Sequence, residues 1–255
     1  MTYIEGFVIA VPTANKQKFV DHATYTNAAF IEHGATRVIE TWQDKVEKGH
    51  TTDFFGAVDA QDGEVVAFSW IEWPEKATRE AMNGQMDDLM KSDARFSHET
   101  NPMPFDGKRM IYGGFEAIVA EGNHQSDAYV QGFLVPVPEA NKQAYVEAAV
   151  AMWDIMKDYG AVRVIEAWQD DVPHGQQTDF FRSVKAEDGE IVVFSFVEWA
   201  SREVCDAAAA KMMADERMKS FMGGNPDAKP PFDGKRMVYG GFVPIVEVSQ
   251  ESVGA

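Results

Sequence analysis

Twelve residues beginning at position 104, PFDGKRMIYGGF, return almost unchanged at position 231 as PFDGKRMVYGGF. Tyr3, Gly6, Phe7, Val11, Pro12 and Asn15 likewise recur 126 residues on, as Tyr129, Gly132, Phe133, Val137, Pro138 and Asn141. GATRVIETWQD recurs as GAVRVIEAWQD, TDFF as itself, and DGEVVAFSWIEW as DGEIVVFSFVEW. A period of this length is too long for a solenoid and is the size of a whole small domain. The 255-residue chain therefore reads as two copies of one domain. The boundaries expected are repeat 1 over 1–120, a polar linker over 121–128, repeat 2 over 129–247, and a polar tail over 248–255.

Each copy carries the same succession of patterns. Residues 3–11 alternate as a strand, with Tyr3, Phe7, Ile9 and Val11 on one face and Ile4, Val8 and Ala10 on the other. Pro12 ends it, and Thr13 is placed to cap a helix reaching about His33, where Gly34 suits a C-terminal cap. A second strand follows at 35–42. FFGAV and EVVAFSWIEW read as strands separated by the turn QDG. Pro74 opens a helix to about Lys91, and RMIYGGFEAIV is the last strand. The order is β-α-β-(β)-β-α-β, the ferredoxin-like pattern.

The strands are apolar on both faces. One face packs on the two helices, and the other needs a second cover. Leaving about 800 Å² of it wet would forgo roughly 20 kcal/mol, more than the net stability of a typical domain at about 5–15 kcal/mol. A copy of the same domain is the simplest cover. The expected fold is thus α+β, two ferredoxin-like βαββαβ repeats packed sheet to sheet, a dimer fused into one chain.

The run GAVRVIEAWQDDVPHG…TDFF…VVFSFVEW…MADERM…PFDGKRMVYGGF resembles the YbaA-like family of small bacterial proteins of unknown function, within the dimeric α/β-barrel superfamily. The resemblance covers both halves and implies that the two units close an intramolecular barrel. It also implies a cofactor-independent oxygenase or isomerase as one reading, since the superfamily contains such enzymes. The first half departs more: Lys45 stands where the second has Asp171, and MNGQMDDLMKSDAR replaces AAAKMMADERM. If there is a site, it is expected to survive better in the second half.

Charge narrows the partners. With 41 acidic and 23 basic residues the net charge is -18, which disfavours nucleic acid and anionic membrane surfaces. One cysteine, Cys205, forbids an intrachain disulfide and suits a cytoplasmic setting. No signal peptide and no bilayer-length apolar run is read. The expected state is a monomer acting as a pseudo-dimer, with further homo-oligomerisation open.

Four glutamates are the candidate catalytic groups. Glu40 and Glu166 share a face with Trp42 and Trp168, while Glu72 and Glu198 share a face with Phe68 and Phe194. A carboxylate on an apolar strand face must be paired, hydrated or protonated, and a carboxyl with a raised pKa inside a barrel is a candidate general base. The alternative is a structural ion pair with Arg37, Arg163, Arg109 or Arg236. Candidate ligand-binding residues are Lys108, Arg109 and Tyr112 with their counterparts Lys235, Arg236 and Tyr239, together with Trp42 and Trp168. Arg could fork onto a carboxylate or phosphate, or simply clamp a turn. The paired glycines 113–114 and 240–241 suggest a bulge or a close backbone approach. The histidines do not repeat, and no HxH, HExxH or CxxC spacing occurs, so no metal site is expected. No phosphate-cradling glycine loop occurs, and no cofactor is expected. Three functions stay open: a binding module for a small anionic or aromatic molecule in a barrel cavity, a metal-independent enzyme using a buried Glu, or a structural protein with a filled barrel.

Overall fold

The computed structural model describes residues 2–221 and 230–250. In the first repeat β1 (Tyr3–Pro12), α1 (Lys16–Glu32), β2 (Arg37–Lys45), α2 (Phe54–Ala57), β3 (Glu64–Trp73), α3 (Lys76–Asn83), α4 (Met86–Ser92) and β4 (Ile111–Gly122) follow in order. The second repeats the series: β5 (Tyr129–Pro138), α5 (Lys142–Met156), β6 (Ala161–Asp171), α6 (Phe180–Ser183), β7 (Glu190–Trp199), α7 (Arg202–Ala214), α8 (Glu216–Phe221) and β8 (Val238–Ser249). Strand β8 thus reaches into the stretch assigned to the tail, whose residues 251–255 lie outside the described ones.

Three local expectations are corrected. FFGAV is not a strand. Asp53 accepts from the Gly56 N–H and starts the short helix α2, so N-capping overrides the β-preference of two phenylalanines. Thr13 does not cap α1; a 3-10 turn intervenes at 13–15, and the Thr13 hydroxyl donates to the Gly63 carbonyl. The helix expected from Pro74 to Lys91 is two helices, broken at Gly84–Gln85.

The strands close into one antiparallel barrel in the order β1-β3-β2-β8-β5-β7-β6-β4. Within each repeat the sheet runs 4-1-3-2, as a ferredoxin-like unit does. The barrel is sealed where β2 pairs with β8 and β4 with β6, so each repeat's edge strand is covered by the other's. The centre is solid. Phe68 stacks on Phe194 with ring centroids 4.4 Å apart, and Trp70 on Phe196 at 4.0 Å. Phe54, Phe115, Phe180 and Phe242 surround them, all fully buried. The repeated glycines make room for this stack. A Cβ on Gly6 would lie 2.6 Å from the Phe194 ring, and one on Gly132 would lie 3.0 Å from Phe68. Each glycine thus admits the phenylalanine of the opposite repeat.

The cavity expected inside the barrel is therefore absent from its centre, and open space lies outside the wall, beneath the helices. No helix among the described residues is long and apolar enough to cross a membrane.

The stack is shared by both repeats, so Phe68→Ala should cost about 3–5 kcal/mol in denaturant unfolding. Both repeats should lose it together in one transition. Two separate transitions, with only one shifted, would show that the repeats do not fold as a single unit.

Candidate functional site

The helix-facing side of the second repeat's sheet carries Glu166 on β6 and Ser195 directly opposite it on β7. Helices α5 and α7 lie over this face. Between them and the sheet is a cavity of about 500 Å³. Its wall is mostly apolar, with Phe133, Val197 and Trp199 from the strands and methionines 152, 156, 212 and 213 from the helices. Tyr145 of α5 donates to Glu166 Oε2 at 2.7 Å. Burial raises the Glu166 carboxyl from its ordinary 4.5 to about 7, while the hydroxyls of Tyr145 and Ser195 pull it partly back. Burial and the adjacent Glu166 together push the Tyr145 phenol well above its ordinary value. Tyr145 was not among the sequence candidates. The first repeat has Phe19 at that position, and the change from Phe to Tyr beneath a strand glutamate was the available signal.

The first repeat holds a smaller version, about 180 Å³, lined by Glu40, Asn27, Phe30 and Phe105 among others. Burial raises Glu40 to about 7 as well, opposed by Ser69 and Asn27. Asn27 donates to Glu40 Oε1 at 3.3 Å, and Glu40 Oε2 and Ser69 Oγ are buried without a full hydrogen bond.

Glu72 and Glu198 point the other way, into one end of the barrel. They form a four-charge cluster with Arg37 and Arg163, in which each arginine bonds both carboxylates. Arg37 also pairs with Glu247. Burial alone would raise Glu72, but Arg163 and Arg37 outweigh it and bring the carboxyl down to about 2. A carboxylate held as Glu72 is makes a poor proton acceptor, and Glu198 is bonded by the same two arginines.

The arginines of PFDGKR are likewise engaged. Arg109 forks onto Glu64 at 2.6 and 2.7 Å and bonds Asp106, and Arg236 does the same with Glu190 and Asp233. They pin each repeat's turn to the start of its third strand. A concavity of about 930 Å³ is an open trough beside the first of these turns. Lys108, Lys235, Tyr112 and Tyr239 are exposed. Lys235 and Tyr239 share an open cleft of about 450 Å³ with Lys48 and His50 of the other repeat. Trp42 and Trp168 pack under Lys16 and Lys142, 5.1 and 5.0 Å from the ring centres. The second glycine of each pair lies against the repeat's own tyrosine hydroxyl, Tyr3 at Gly114 and Tyr129 at Gly241. Cys205 lines the second repeat's cavity, and burial lifts its thiol to about 11. No cluster of His, Cys, Asp and Glu suited to a metal occurs among the described residues.

Two ferredoxin-like units closed into one barrel define the class. The chain is similar over 98% of its length to 96% of a "putative monooxygenase" of Lactobacillus acidophilus NCFM, at TM-score 0.58 and 10% identity. It is similar over 97% of its length to 93% of an anthrone oxidase-like protein, at TM-score 0.55 and 14% identity. At these identities the likeness shows the fold. The chain belongs to the family described as "Protein of unknown function (DUF1428)", whose pattern matches residues 2–107 and again 128–234. Relatives include the Uncharacterized protein YbaA of Escherichia coli K12 and that of Shigella flexneri. Each is 51% identical over 119 residues, which is 47% of this chain and 97% of the relative, the length of one repeat.

Glu166 sets a pH dependence. Its native pKa near 7 exceeds the ordinary 4.5 that it regains on unfolding. Between those values the native state holds a proton that the unfolded chain releases, so stability falls as pH rises through the window and levels off above it. Glu166→Gln stays neutral throughout. Its stability relative to the native protein should grow by about 1–3 kcal/mol between pH 5 and 8. Parallel stability curves for the two proteins would refute the raised carboxyl.

Proposed function

We propose that the second repeat binds a small, neutral aromatic molecule bearing one O–H or N–H group, with Glu166 as its proton acceptor. The observation that carries this is one carboxyl with a pKa near neutrality on the wall of a mostly apolar cavity of about 500 Å³. That volume lies in the range of small-molecule sites, about 300–1,000 Å³. Methionine side chains adapt to flat rings and make favourable sulfur–aromatic contacts. An anionic ligand is disfavoured beside Glu166 in a chain of net charge -18, and the arginines that could have received one are committed to Glu64 and Glu190. Tyr145 and Ser195 hold the carboxyl in place on the cavity wall, where a ligand donor would meet it.

The same geometry supports a catalytic form of this reading. A base whose pKa lies near the working pH is suited to remove a proton from an acidic O–H or C–H. The monooxygenase and anthrone oxidase-like descriptions of the fold neighbours are in keeping with an aromatic substrate. We place the protein in the cytoplasm, and one chain supplies the whole barrel.

Thermal unfolding with 1-naphthol tests the binding. Saturating ligand should raise Tm by a few degrees. Ala149→Phe, which fills the cavity from α5, should remove that rise. A rise that survives in the filled variant would place the ligand elsewhere. Where turnover of an aromatic substrate is found, Glu166→Gln should abolish it and spare binding, and retained turnover would exclude Glu166 as the base.

A further inference from the structure

The two repeats present the same sheet face and the same glutamate to their helices, yet only one has a roomy cavity. Several paired positions of the lining differ, and three of them bear most directly on the volume. On the first strand of the repeat, Gln131 stands where the first repeat has Glu5. On the helix above, Cys205 stands where it has Arg79. Gln131 and Cys205 both line the large cavity. Glu5 and Arg79 instead form a buried ion pair, 3.0 Å apart, with Arg79 only 3% exposed. The guanidinium also reaches across to Asp171 of the opposite repeat. The ion pair occupies the end of the space that a thiol and an amide leave open.

The middle of the same space differs too. Met156 of α5 lines the large cavity, while its counterpart Phe30 packs edge to face on Phe96 at 5.5 Å and on Trp73 at 6.4 Å. A rigid ring wedged between two others cannot yield to a ligand as a thioether does. The strand frame is shared. The indole N–H of Trp73 donates to Glu5 as that of Trp199 donates to Gln131, at 3.3 and 3.2 Å.

We infer that the first repeat holds a latent counterpart of the ligand cavity, shut by two plugs, the Glu5–Arg79 pair and the Phe30 wedge. The intact chain then takes one aromatic ligand, in the second repeat. Residues 79 and 205 decide which repeat is open. The Arg79 plug has a second task, because its bond to Asp171 ties the repeats together. On the other side, where Cys205 offers no cation, the tie is made at the surface by Lys45 with Asp206 and Arg202 with Asp44. Closing one cavity and clasping that flank are thus one interaction. This inference rests on the binding reading above.

The test counts sites by fluorescence titration with N-phenyl-1-naphthylamine, a neutral aromatic amine that brightens in apolar surroundings. The native chain should bind one equivalent. The variant E5Q/F30M/R79C copies the second repeat's own residues and should bind two. The reverse variant Q131E/M156F/C205R should bind none. One site in the native chain and still one in the folded opened variant would overturn the latent site alone. Zero sites in the native chain would overturn the binding reading itself, and this one with it. If the opened variant does not fold, the closed variant decides, and undiminished binding there would refute the plugs. Circular dichroism melting verifies that each variant is folded.

Discussion

Phe68 and Phe194, stacked face to face on the axis that relates the repeats, determine where everything else can go. Each belongs to a strand that is apolar on its inner face, and neither inner face survives contact with water. Bringing them together requires the sheets to approach until each phenylalanine lies over a glycine of the other repeat, Gly6 or Gly132. A sheet pair drawn this close has no room for a ligand between its faces. Open volume is thereby displaced to the outer surface of the barrel, where helices on short connections leave gaps that side chains fill or do not fill.

Glu72 on β3 and Glu166 on β6 show how position then sets protonation. Glu72 and Glu166 are both removed from water, and desolvation favours the neutral form of each. Glu72 sits at the barrel's end, where two arginines bond it and the charge is compensated. Its proton leaves early. Glu166 meets only hydroxyls, which stabilise the charge without neutralising it, and its proton is held to about pH 7. The ion cluster is costly to bury, and its worth is in register: each arginine reaches carboxylates of both repeats and so fixes their alignment. The lone carboxyl is costly without such return. A group of that kind is expected where proton transfer is used.

Much of this was legible in the letters, and the exceptions share a cause. The duplication pointed to a self-covering sheet, and strand alternation grouped Glu40 and Glu166 with Trp42 and Trp168, and Glu72 and Glu198 with Phe68 and Phe194, without saying which group faces the helices. FFGAV misled because propensity favoured a strand, while the deciding contact was a cap from Asp53, a residue before the run. The cavity's place misled because alternation says which face is apolar but not how closely two faces approach. Arg79 opposite Cys205 was visible as a mismatch. Its meaning was not, because neither residue reveals from sequence that Glu5 or Gln131 stands below it. Tyr145 escaped for a similar reason, since a phenol on a helix acquires its role only from the glutamate it covers.

A fused dimer is released from a constraint that binds a separate one. In a symmetric pair every substitution appears twice, so a site that opens on one side opens on the other and each clasp lost is lost on both. Within one chain Lys45 can replace the aspartate its counterpart keeps, and the flank it leaves can be re-tied through Asp206. The first repeat then spends its buried space on Arg79, Phe30 and Phe96, which are rigid and interlocked. The second keeps methionines and a thiol, which are soft and leave volume. The barrel needs both repeats equally, because its core interdigitates across the axis, but each space beneath the helices is lined by the residues of its own repeat. That separation is what allows one half to stiffen the assembly while the other gives up packing for a cavity, with the cost of the cavity borne by a structure that both halves hold up.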